Sequence, residues 1–162
     1  MRVHLTESGL RMEGRDIVVE SAHALAECSV LLGPSVHEKA FGGGRTAHWL
    51  KHGIIVLARA HGSQIVSVMF CFSGADGPYD HPPHESFEGD IEFGGLSVTG
   101  GETEHVARSV LGASGLGSIV SRRVGQLLVN LHLTKPRGAS RSSRRCLTQL
   151  SAEWPAATGL TW

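Results

Sequence analysis

A chain of 162 residues that is 41% apolar and 19% charged has the make-up of one compact domain, or of two small halves sharing a core, which excludes overall disorder. Twenty-one glycines against 6% aromatic residues favour many turns and aliphatic strands over a helical bundle. The net charge is zero, no apolar run approaches the roughly 18 residues of a membrane span, and MRVHLTESGLRMEGRD lacks a signal peptide's apolar core, so a soluble cytoplasmic protein is expected.

The first nineteen residues suggest two extended segments around Glu7-Ser8-Gly9, then a turn at Gly14-Arg15-Asp16 before the β-branched run Ile17-Val18-Val19. A helix is expected next. Ser21 suits its N-cap, Ala22, Leu25, Ala26, Ser29 and Leu32 share one helical face, and Gly33-Pro34 is a stop signal. VHEKAFGGGRTAHWLKH then has the look of a loop, with Trp49 as a packing anchor. GIIVLARA and QIVSVMFCF follow as two long antiparallel strands joined at His61-Gly62-Ser63. Both are nearly continuous apolar runs, which places them centrally in a sheet.

In the second half, FEGDIEF and LSV around Gly94-Gly95 predict a hairpin, and ETEHVARSVL a helix stopped by Gly112. Val106, Ala107, Val110 and Leu111 form its apolar stripe, and Glu102 and Glu104 suit the anion-favouring first turn. QLLVNLHLT alternates Leu127, Val129, Leu131 and Leu133 inward, and a last strand is expected around CLTQLSAEW. VLLGPS and VLGAS echo each other at the two helix ends. The expected fold class is therefore α+β: antiparallel sheets with two helices on one side, arranged as two ββαββ units at 1–75 and 86–155. Residues 76–85 form an acidic Pro/His linker and 156–162 a tail, and a single α+β domain without duplication fits the same pattern.

Charge is sorted along the chain. Residues 1–112 hold eight Lys/Arg against fourteen Asp/Glu, and residues 113–162 hold seven against one. Asp76, Asp80, Glu85, Glu88, Asp90, Glu92, Glu102 and Glu104 follow one another without an intervening Lys or Arg. Such a run attracts a basic partner within roughly a Debye length, ~8–10 Å, or else serves as a solvated edge that discourages aggregation. The basic set Lys135, Arg137, Arg141, Arg144 and Arg145, with Arg122 and Arg123, offers phosphate contacts, but no interleaved aromatics accompany it. A mobile solvated hairpin loop, with or without internal pairing to the acidic region, is the plainer expectation.

No catalytic signature is found, and no cofactor is expected. Cys28, Cys71 and Cys146 stand far apart with no CxxC pair, which suits small core residues. His48 and His52 have the i, i+4 spacing of a zinc pair, but HWLKH lacks the glutamate of HExxH. In YDHPPHES, Pro82-Pro83 favours an extended polyproline rise of ~3.1 Å per residue, which holds His81 and His84 ~9 Å apart. A metal site completed by Asp80 and Glu85 is therefore disfavoured against a stiff connector. The glycine-rich stretches at 42–44 and 112–118 lack the strand-before-helix context and the lysine of a phosphate loop.

Leu31, Leu32, Gly33, Trp49, Gly53, Ile54, Phe87, Gly89 and Ile91 carry a helix end LLG, an aromatic segment leading into Gly-Ile, a long hairpin and an F-x-G-x-I strand. In that order, over residues 10–100, the chain resembles a family of small bacterial immunity-type domains encoded beside polymorphic or secreted toxins. The resemblance implies a cytoplasmic, non-enzymatic inhibitor that binds one cognate toxin domain. Asp76, Asp80, Glu85, Glu88, Asp90 and Glu92 would then cover a basic surface of that toxin, such as the substrate cleft of a nuclease. Two rival classes follow from the residues themselves: a nucleic-acid-associated domain using the basic 135–145 loop, and a histidine-based metal-dependent enzyme.

Overall fold

The computed structural model describes residues 1–39, 44–59, 62–72, 85–112, 117–135 and 144–154, without the side chains of 37–39, 110 and 111. The expected turn residue His61, the connector residues Asp76, Asp80, His81 and His84, the loop residues Arg137 and Arg141 and the tail 156–162 lie outside this set.

The fold is α+β, with β-structure dominant. A five-stranded sheet has the order β3-β2-β1-β8-β9, and a seven-stranded sheet the order β10-β11-β12-β7-β6-β5-β4. The first is built from β1 (Arg2–Thr6), β2 (Gly9–Met12), β3 (Arg15–Val18), β8 (Asp90–Phe93) and β9 (Leu96–Val98). The second contains β4 (Val36–Lys39), β5 (Arg45–Trp49), β6 (Ile54–Ala58), β7 (Ile65–Cys71), β10 (Ile119–Val124), β11 (Leu127–Thr134) and β12 (Cys146–Glu153). All neighbours pair antiparallel except β1 and β8, which run parallel in the register Val3↔Ile91 and Leu5↔Phe93.

Alternation explains how the sheets meet. Val3, Leu5, Leu10, Met12, Ile17, Ile91 and Phe93 point from the first sheet into one apolar core, against Ile54, Val56, Val68, Phe70, Leu131 and Leu150 of the second. The other face of the first sheet carries polar residues such as Arg2, His4 and Arg11 and stays exposed. β6 and β7 are buried at every position, as their unbroken apolar runs anticipate. Leu127, Val129, Leu131 and Leu133 are the inward set of β11, also as expected. Ile55, Met69 and Cys71 form a separate small buried cluster on the opposite face of the second sheet.

Each half of the chain contributes strands to both sheets, and the halves join at β1/β8 and β12/β7. Three strands precede helix α1 (Ala24–Leu32) and four follow it; two precede helix α2 (Glu104–Leu111) and three follow it. That order is longer than the expected ββαββ. The additions are a third strand before α1, β4 and β5 in the segment taken for a loop, and β10. Val36–Lys39 and Arg45–Trp49 pair in the register His37↔Ala47, and the strand character of RTAHW is hidden in the sequence because its polar Thr46 and His48 are themselves buried. His48 Nε2 meets Thr46 Oγ1 at 2.9 Å, which satisfies both away from water.

The helices do not share one side. α1 packs on β3 and α2 on β9, the two opposite edges of the first sheet, because each helix is tethered by a short connection to its own hairpin; α2 also packs on β10 and β12 of the second sheet. α1 also starts later than expected. Its N-cap is His23, while Ser21 Oγ accepts from His23 N at 3.1 Å in the preceding turn. Leu25 N donates to Ser63 O, tying the first turn to the approach of β7. The buried face is then Ala24, Leu25, Cys28 and Leu32, and Ala22 and Ala26 are exposed. In α2, Thr103 is the N-cap, Ala107 is buried and Val106 is 44% exposed, so the expected stripe is reduced to Ala107 among the described side chains. Trp49 is buried, and its Nε1 donates to Gly33 O at 2.9 Å, anchoring the end of α1. Among the described residues no helix is long and apolar enough to cross a membrane.

Candidate functional site

The anticipated acidic segment emerges from the connector at Glu85 and runs beside the start of β1. Three backbone bonds fix it: Glu85 N to Leu50 O at 2.8 Å, Phe87 N to Cys71 O at 2.5 Å and Asp90 N to Met1 O at 2.9 Å. The amino group of Met1 donates to Glu88 O at 2.8 Å. Phe87 is the hydrophobic pin, buried and edge-on to Phe70 at 5.1 Å and to Phe72 at 5.8 Å between ring centres. With Phe87 turned inward, Glu85 and Glu88 remain exposed.

Two glycines make this approach possible. Gly53 ends a single 3-10 turn (Leu50–His52) in the left-handed region, φ 62° and ψ 31°. A Cβ there would meet Phe87 N at 2.5 Å, Glu85 O at 2.6 Å and Cys71 O at 2.9 Å. Gly89 lies so close to the Met1 carbonyl that a side chain would collide with it.

The result is an open groove of about 780 Å³ lined by Met1, Glu13, Lys51, His52, Glu85, Ser86, Phe87 and Glu88. A second depression of about 530 Å³ shares Met1 and Glu13 with it and adds Arg2 and Asp90. Glu85, Glu88 and Asp90 are thus brought together, whereas Glu92, two residues further along the strand, approaches Arg2 at 3.9 Å. Asp76 and Asp80 lie outside the described residues.

Glu13 is the carboxylate that sequence reasoning missed. It sits in the two-residue turn between β2 and β3 with φ 49°, followed by Gly14 at φ 80°. Its Oε1 accepts from Arg2 N at 3.2 Å, which turns the carboxylate toward the start of β1. The expected turn fell one residue late in the sequence, and nothing local announces that β1/β8 pairing will carry this turn to the acidic segment.

The remaining acids serve the scaffold. Glu102 Oε1 accepts from Thr99 N at 2.5 Å and Thr99 Oγ1 at 3.0 Å. Glu104 receives Arg145 at 2.9 and 2.6 Å and Arg108 at 3.0 and 2.8 Å. Arg145, with Arg108, holds the Glu104 carboxyl below the usual range. This ties Arg145, immediately before β12, to α2. Arg122 and Arg123 belong to β10, at the edge of the seven-stranded sheet.

A polar row crosses the face of that sheet opposite the core. Asn130 donates to Glu153 Oε1 at 2.9 Å and to Ser151 Oγ at 3.3 Å, and His132 Nε2 lies 3.4 Å from Ser151 Oγ. Burial raises the Glu153 carboxyl and lowers the His132 imidazole, the direction desolvation gives to each neutral form. The carboxylate bonds Asn130 and not the histidine, so no nucleophile-base-acid chain is assembled. His48 lies in β5 and His52 in the 3-10 turn, which takes them off any common helical face. Among the described residues no group of three or more His, Cys, Asp or Glu is placed to hold a metal ion. Cys28 and Cys71 are buried, their thiols pushed up to about 12 and about 11 by loss of water.

No family model, curated protein or solved structure matches the chain.

Proposed function

We propose that the chain is a non-enzymatic protein-binding module of immunity type, which neutralises a cognate bacterial toxin by laying its acidic groove over a basic surface or active site. The observation that carries this reading is the convergence of Glu13, Glu85 and Glu88 on one open groove, with Asp90 beside it. Carboxylates from two distant parts of the chain meet around a solvent-open concavity, on a backbone pinned by Phe87 and by pairing to β1. The three carboxylates outnumber the groove's cations, Lys51 and the Met1 amino group, and a preorganised surface with that excess suits a cationic protein face, because it steers encounter and loses little order on binding. The two halves, 1–75 and 86–155, act as one binding body in the cytoplasm.

The test is co-purification with the product of the adjacent gene, followed by binding kinetics of Glu85→Lys, Glu88→Lys and Asp90→Lys combined. At low salt the association rate should fall by about 10- to 100-fold, with the difference shrinking as salt rises. Unchanged binding at low salt removes the electrostatic reading.

A further inference from the structure

We infer that the free edge of the seven-stranded sheet, strand β10, is a second interaction surface that accepts an extended acidic segment of a partner by strand addition. Among the described residues β10 is an end strand and pairs with β11 alone, through Ile119↔His132 to Val124↔Leu127. Gly125-Gln126 is a two-residue hairpin loop, so Val124 and Leu127 form the hydrogen-bonded closing pair. The Leu133 N to Ser118 O bond at 2.7 Å fixes the same parity from the other end of the strand. Even-numbered residues therefore spend their main-chain groups on β11. Ile119, Ser121 and Arg123 turn theirs to the open side.

These three residues are also the exposed ones. Ile119 is 52% exposed, and Ser121 and Arg123 are exposed. They present three N–H and three C=O groups at the ~6.8 Å repeat of alternate strand residues. An edge of this kind is normally covered, shortened or charged. Here α1 and α2 pack at β3 and β9 of the other sheet; α2 also touches β10, yet Ile119, Ser121 and Arg123 stay exposed, and among the described residues no strand pairs on their outer side.

Charge decides the occupant. Arg122 and Arg123 lie in the strand itself, and the described acids nearest its ends are engaged: Glu7 accepts from Gln126 N at the hairpin loop, and Glu104 of α2 holds Arg108 and Arg145. An added antiparallel strand would place consecutive residues opposite Arg123 and Arg122, and a residue three positions later opposite Ile119. Two adjacent carboxylates followed at that spacing by a β-branched residue match the edge, whereas lysines there would meet arginines across the pair.

The probe is a labelled heptapeptide, Thr-Glu-Glu-Thr-Val-Val-Thr, blocked at both ends, added to the full chain at low salt. Expected results are binding, slowed exchange of the Ile119, Ser121 and Arg123 amides, and at least ~10-fold weaker binding of the Lys-Lys analogue. Backbone N-methylation of the peptide should abolish binding. Ser121→Pro should do the same, since its N–H has no internal bond to lose, and Arg123→Glu should reverse the preference between the two peptides. The proposal is overturned by absent binding at millimolar peptide, by equal affinity for the lysine analogue, or by binding that survives N-methylation. A dimer of the chain that Ser121→Pro dissociates also overturns it, because a second copy would then hold the edge.

Discussion

Gly53 and Gly112 form a matched pair on which the construction of the acidic groove can be tested. Both follow a helical turn in nearly the same left-handed conformation, φ 62° and ψ 31° against φ 61° and ψ 27°. An alanine in that region costs roughly 1–2 kcal/mol through its Cβ alone. At Gly112 nothing lies within 4 Å of the new methyl group, so the backbone term is the whole effect. At Gly53 the methyl would sit 2.5–2.9 Å from three main-chain atoms of Phe87, Glu85 and Cys71. The segment 85–87 must retreat, which breaks the Glu85 N to Leu50 O and Phe87 N to Cys71 O bonds. At about 1 kcal/mol each they add about 2 kcal/mol. Gly53→Ala should therefore destabilise by about 3–4 kcal/mol and Gly112→Ala by about 1–2 kcal/mol. With a urea slope of about 2 kcal/mol/M, their midpoints should differ by about 1 M. Equal midpoints, within about 0.5 kcal/mol, would refute the claim that the glycine holds the acidic segment in place.

Glu104→Gln should lower stability at pH 7 by removing the anion shared by Arg145 and Arg108. The wild-type carboxyl titrates lower when folded, so its contribution is complete above the unfolded value of about 4.3 and fades as pH falls through the folded one; urea midpoints of the two proteins from pH 7 to 3 should converge at the acid end. Burial depresses the His132 imidazole, so below about pH 6.5 the unfolded chain takes up a proton that the folded chain resists. Stability should fall with pH in that window, and His132→Gln should flatten the profile; a parallel profile would contradict the assigned burial. Ellman titration should find Cys146, which is half-buried, reacting in the native protein, while Cys28 and Cys71 react only after denaturation.

Local pattern carried a large part of this fold. The unbroken apolar runs of β6 and β7 announced central strands because only a sheet covered on both faces can bury every residue of both. β11 was legible because its leucines alternate. β5 was not, since His48 and Thr46 are polar residues satisfying each other inside, and β10 was not, since this edge strand carries arginines on both faces. The start of α1 moved because Leu25 N is claimed by Ser63, a bond between residues far apart in the chain.

For the candidate site the division is sharper. The sequence by itself determined that an acid-rich segment without Lys or Arg precedes and enters β8, and that its glycines and Phe87 stand among the charges. Only the tertiary structure decided which of those acids face one groove. Parallel pairing of β1 with β8 brings the turn at Glu13 beside Glu88 and Asp90, and Arg145 withdraws Glu104 into the scaffold. Charge along a chain is set by composition, but its meeting in space depends on strand register, which is fixed by the burial of Val3, Leu5, Ile91 and Phe93 between the sheets.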